Sequence, residues 1–212
     1  HTNDRRQRQM CIRDSSIYYD GDEAHDLTSS VIGDYTILTV SQMEGTQNAR
    51  AFESKVGNTL LGYWGGNQDA MYLDANPAFH NTGIAVTTTP KLYSLRRASS
   101  GAYEMFKSGT SLHSGAASAN STCQLGIGGA NEKSKVFVSE VIVFERSLND
   151  TEMQQAHSYL ALKYGFHLGV SYLSSTGTVL WDATAMAAYH NDVAGIGRDD
   201  LSRLNQKQSK SA

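Results

Sequence analysis

The feature that most constrains this chain is apolar residues recurring every second position in short runs, broken by Gly, Ser, Asn and Asp, from residue 17 to 146. Alternate residues of a strand share a face, so the pattern predicts β-strands with one side packed on a core. The clearest runs are "YTILTV" (35–40), "TLLGYW" (59–64), "AMYLD" (70–74), "KLYSL" (91–95), "AYEMFK" (102–107), "CQLGIGG" (123–129) and "VFVSEVIVFER" (136–146). In the last, Val136, Val138, Glu140, Ile142 and Phe144 fall on one face and Phe137, Ser139, Val141 and Val143 on the other. Both faces are apolar, as a strand inside a sheet requires. Many short strands with small polar turns predict an antiparallel sandwich.

One segment has a different period. Met153, Ala156, His157, Leu160, Ala161 and Tyr164 form a stripe at helical spacing, predicting a helix from about Asp150 to Tyr164. Asn149 can cap it, Glu152 can complete a capping box, and Gly165 supplies the stop. Beyond it, "VSYLSSTGTVLWDATA" and "NDVAGIGRDD" return to strand-like alternation. Roughly 45 residues are too few for a core of their own, so 169–212 is read as the truncated opening of a second β-rich domain. Trp181 is assigned to packing there.

The N-terminal "RRQRQMCIRDS" (5–15) places four arginines in an otherwise acidic chain. A basic arm suggests nucleic acid. In reverse translation, however, the stretch matches a transposon-type sequencing-library adapter in register, and residues 1–15 are set aside from the fold. Without them the balance moves from 18 basic and 21 acidic residues, net −3, to 14 and 19, net −5. A nucleic-acid partner is not expected. Cys123 is then the single cysteine, which excludes an internal disulfide and reads as a small buried hydrophobe. No apolar run reaches the roughly 18 residues of a membrane-spanning helix, so no membrane insertion is expected.

At "SKVFVSEVIVFERSLNDTEMQQAHSYLALKYGF" (134–166) the chain resembles the closing strand and helix of bacterial LamG-like jelly-roll domains, of the concanavalin A-like lectin/glucanase superfamily. "LGIGG" (125–129), the opening "IYYDGDEAHDLTSS" (17–30) and the hairpin "GAYEMFKSGTSL" (101–112) are similar to the same family. The usual tryptophan before that hairpin is replaced by "KLYSLRR". The resemblance implies an all-β, antiparallel jelly-roll sandwich with one C-terminal helix over 16–168. It also implies an extracellular or cell-surface bacterial protein with covalently joined neighbouring domains. The tail "VAGIGRDDLSRLNQKQSKS" resembles a β-rich domain that often follows such modules.

Glucanases of this superfamily carry their two carboxylates on one strand face, in an E-x-D-x-x-E pattern that sets them about 5 Å apart. This chain lacks the pattern, and Glu140, the one acid centred in a strong strand, is followed on its face by Ile142 and Phe144. Glu140 is therefore assigned a structural role. No G-x-S-x-G, H-E-x-x-H, P-loop or C-x-x-C occurs, and His25, His80, His113, His157, His167 and His190 lack ligand spacing.

Binding is better supplied. "GYWGGNQD" (62–69) sets Tyr63 and Trp64 beside Asn67, Gln68 and Asp69, the pairing of aromatic face and polar loop that saccharides use. Strand alternation sends one of Tyr63 and Trp64 to the core and the other outward. Tyr63, Trp64, Asn67 and Asp69 are the ligand-binding candidates. "DGDEAHD" offers Asp20, Asp22, Glu23 and Asp26 as hard oxygen ligands, with calcium as the cofactor candidate; Asp199 and Asp200 form a weaker set. The expectation is a non-catalytic carbohydrate-binding or adhesion module whose partners are polysaccharides or glycoprotein glycans. A glycoside hydrolase-related domain and an inert structural spacer are the rival readings.

Overall fold

The computed structural model describes residues 16–23, 25–26, 30–45, 47, 50–54, 58–73, 78–117, 122–123, 125–127, 132–189 and 197–206. Residues 1–15, His190 and the side chain of Cys123 lie outside them. Two compact units emerge: residues 16–107 with 111–148, and residues 149–212 with the turn 108–110. The helix segment clusters with the C-terminal residues.

Among the described residues the larger unit holds fourteen strands. They are β1 (Ile17–Asp20), β2 (His25–Asp26), β3 (Val31–Ile32), β4 (Tyr35–Met43), β5 (Phe52–Ser54), β6 (Leu60–Trp64) and β7 (Asn67–Leu73). They continue with β8 (Ala78–Asn81), β9 (Lys91–Arg97), β10 (Ala102–Lys107), β11 (Thr110–Ala116), β12 (Thr122–Cys123), β13 (Leu125–Ile127) and β14 (Lys135–Phe144). Two six-stranded antiparallel sheets result, ordered β1-β14-β4-β9-β10-β11 and β2-β13-β5-β6-β7-β8, and β12 pairs with β3. Consecutive strands alternate between sheets at several points, as a jelly roll demands.

The core lies between the sheets. Tyr35, Ile37, Tyr93, Leu95 and Met105 face it from the first sheet, and Phe52, Leu61, Tyr63, Met71 and Leu73 from the second. Strand β14 lies inside its sheet, between β1 and β4, as its two apolar faces require. The strict alternation read from its sequence is broken by a bulge between Val138 and Glu140. Val136 and Val138 face the core before the bulge, and Val141 and Val143 pack on it afterwards. A bulge adds one residue to one strand and so exchanges its faces. Glu140 lies half-buried opposite Val40.

In the C-terminal unit, α1 (Asp150–Tyr164) has both halves of the capping box: Asn149 accepts from the Glu152 N–H, and the Glu152 carboxylate accepts from the Asn149 N–H, each at 3.0 Å. Gly165 ends it in the left-handed conformation. Strands β15 (Tyr172–Leu173) and β16 (Val179–Trp181) form a hairpin, as do β17 (Gly197–Asp199) and β18 (Leu204–Gln206). Buried Ser158 ties helix to hairpin, donating to the Gln154 carbonyl at 2.7 Å and accepting from the Leu173 N–H at 2.9 Å. Trp181 packs edge-on against Tyr172, the packing role expected of it.

Candidate functional site

Strands β6 and β7 meet at a two-residue turn, Gly65–Gly66, with Trp64 opposite Asn67. Both glycines have positive φ, the backbone of tight hairpins. Alternation then separates the adjacent aromatics: Tyr63 is 0% exposed and Trp64 37%. The Tyr63 hydroxyl donates to the Ser41 carbonyl at 3.2 Å, and its ring meets Tyr93 edge-on at 5.5 Å. Burial pushes its pKa upward. Tyr63 is a core residue.

Trp64 turns the other way. Its ring meets Phe79 of β8 edge-on at 5.3 Å and 86°, and Phe79, itself 45% exposed, lies 6.4 Å from the Tyr72 ring. Tyr72 and Phe79 are register partners, so three neighbouring strands contribute one ring each to an aromatic surface. Phe79 is the residue sequence reasoning missed, because "AFHN" is too short a run to show its period. Asn67 stays at the rim, half-buried, its backbone bridged to Ala85.

Asp69 departs from simple alternation. Gly62 pairs with Ala70 and Tyr63 with Gln68, so Asp69 is the extra residue of a bulge, with φ of 60°. The bulge buries its carboxylate to 3% exposure. There Oδ1 accepts the Tyr93 hydroxyl at 2.5 Å and Oδ2 accepts the Lys107 ammonium at 2.7 Å. Tyr93 reaches it over Gly62, where a Cβ would come within 2.8 Å of its ring. Of the four expected binding residues, Trp64 and Asn67 are at the surface or rim, and Tyr63 and Asp69 are interior.

The acidic loop is arranged around its own backbone. Asp20, closing β1, accepts from the Asp22 N–H at 2.9 Å, and the Asp22 carbonyl accepts from Lys133. Asp26 lies in β2, opposite Gly126. Among the described residues, no three His, Cys, Asp or Glu side chains are grouped to hold a metal ion. In the C-terminal unit both oxygens of Asp199 accept from Ser175, at 2.8 and 2.5 Å, and these bonds hold its pKa below the usual carboxylate range. Asp200 pairs with Arg198.

Solved structures share this architecture. A native heptameric SAP-like pentraxin from Limulus polyphemus superposes with a TM-score of 0.54 at 11% identity, covering 70% of this chain and 83% of that one. The Ruminococcus gnavus IT-sialidase CBM40 bound to α2,3 sialyllactose does so with 0.51 at 14%, covering 66% and 94%. The larger unit thus has the antiparallel β-sandwich fold of these two structures. A Trypanosoma rangeli sialidase in complex with sialic acid aligns with a TM-score of 0.48 at 17% identity, over 61% of this chain and 23% of that protein. This chain therefore spans less than a quarter of the sialidase's length. The family described as "Domain of unknown function (DUF8202)" matches residues 152–212, close to the limits of the helix-containing unit. No curated protein matches the chain in sequence.

Proposed function

We propose that the sandwich unit is a LamG-like carbohydrate-binding or adhesion module, without catalytic activity, of a larger secreted bacterial protein. The observation that carries this reading is the outward aromatic surface of Trp64, Phe79 and Tyr72, beside a rim supplied by Asn67. Pyranose C–H faces pack on such rings while the rim hydrogen-bonds the hydroxyls. Exposing two large aromatics side by side costs solvation that a core position would recover. A ligand surface accounts for that cost. The buried acids Asp69 and Glu53 are already paired with Lys107 and Arg50, which favours binding over hydrolysis. The lectin-like neighbours support the reading at the level of fold, and the CBM40 relative is a complex with a sialylated sugar.

The test is a glycan array probed with the chain, once in calcium and once in chelator. Saturable binding to defined glycans is the expected result. Dependence on calcium would call for an ion site, and Asp20→Asn and Asp22→Asn proteins would then test the acidic loop. Silence across the array by folded protein would contradict the reading and leave the structural spacer.

A further inference from the structure

The segment 82–90 carries the chain from β8, in one sheet, to β9, in the other. It runs along the turn that bears Trp64: the Gln68 N–H donates to the Ile84 carbonyl at 2.9 Å and the Val86 N–H to the Gly66 carbonyl at 3.0 Å. Past this contact come neutral hydroxyls and then a cation. The Thr87 hydroxyl donates to Gln68 Oε1 at 3.2 Å and lies 2.9 Å from that of Thr89, and Lys91 Nζ donates to Thr89 Oγ1 at 2.6 Å. Lys107 approaches from β10, held by Asp69.

The charges here do not balance. Lys91 shares a strand face with Tyr93, whose register partner is Lys107, and the Asp69 carboxylate spends one oxygen on Tyr93 and the other on Lys107. Lys91 is left with a neutral hydroxyl, although it is partly buried. Burial and the charge of Lys107 lower its pKa, only partly offset by Asp69. An ammonium carries three donors, so both lysines keep donors to give. A local positive excess in a chain of net charge −3 selects for an anion.

We infer that Lys91, oriented by Thr89, and Lys107 form a subsite for the anionic group, carboxylate or sulfate, of an acidic saccharide. The inference rests on the carbohydrate-binding reading and narrows it to a ligand class. One oxyanion accepts from both ammonium groups in charge-assisted contacts, while the Thr87 and Thr89 hydroxyl protons stay with Gln68 and Thr87.

The experiment is calorimetric titration of the full chain with polygalacturonate, its methyl ester, dextran sulfate and neutral laminarin, at low and high salt. Tighter binding of a charged polymer, weakened by salt, is expected; the methyl ester separates charge from sugar, and dextran sulfate separates sulfate from carboxylate. Lys91→Gln should weaken charged-polymer binding about tenfold, as loss of one charge-assisted hydrogen bond implies, and Lys91→Arg should restore most of it. If Lys91→Gln fails to fold, the ester and salt comparisons on the unaltered chain decide. Equal affinity for charged and neutral polymers would overturn the anionic subsite and leave carbohydrate binding standing. No binding to any saccharide would overturn both.

Discussion

The Tyr93 hydroxyl donates to the Asp69 carboxylate at 2.5 Å, from one sheet of the sandwich to the other. Burial, then Tyr63, then Asp69 itself hold the Tyr93 pKa well above the usual phenol range, so it stays a donor at every physiological pH. Lys107 holds the second carboxylate oxygen. Asp69→Asn keeps the shape and the left-handed backbone but removes the charge from both partners. The expected loss is about 2 kcal/mol, moderated because the Lys107 head reaches solvent. Urea unfolding of the two proteins measures it, and an unchanged midpoint would remove Asp69 as an anchor.

Gly62 lets that contact form. With φ of 97° and a would-be Cβ 2.8 Å from Tyr93, alanine meets backbone strain and a rigid ring together. Gly62→Ala should cost about 3 kcal/mol. Chemical denaturation checks it; a loss under 1 kcal/mol would mean that Tyr93 moves aside freely.

The edge strands of the two sheets meet through a histidine pair: His80 of β8 stacks on His113 of β11 at 4.5 Å and 12°. The Tyr103 hydroxyl lies 3.2 Å from His113 Nε2. Burial and His113 lower the His80 pKa below its usual value, while Asp69 opposes the shift. A base with a depressed folded pKa favours the neutral form on folding. Its contribution is complete above about pH 6.5 and is lost as pH falls from there through the folded value. Melting from pH 7.5 to 5 should therefore show a decline that His80→Gln flattens. Parallel profiles for the two proteins would contradict this.

At the helix start, Asn149→Ala removes the side-chain acceptor of the Glu152 N–H and should cost about 1 kcal/mol. Hydrogen exchange of the first-turn amides reads the effect locally. Equal protection in both proteins would mean that packing alone holds the turn.

The helix and the strands were legible because each depends on a local period or cap. Asn149, Glu152 and Gly165 marked the helix ends in sequence, and the structure ends it there. The candidate site was only half legible. Alternation separated Tyr63 from Trp64, yet Asp69 turned inward at a bulge, and such an extra residue leaves no mark in the hydrophobic period. The same physics exchanged the faces of β14 after Val138. Phe79 joined Trp64 through strand pairing distant in sequence, which alternation within one strand cannot reveal. His80 and His113, scattered in sequence, were likewise brought together by tertiary pairing.

The chain has two tryptophans, so Trp181→Phe leaves an indole signal from Trp64 alone. The most direct test of the account is to titrate that variant with glycans that bind on the array, following Trp64 emission, and to repeat the binding measurement in Trp64→Ala and Phe79→Ala proteins. The account predicts a saturable change in Trp64 emission, and loss of most affinity in both alanine proteins with melting temperatures little altered. Undiminished binding by both, with Trp64 emission unmoved at saturation, would contradict it.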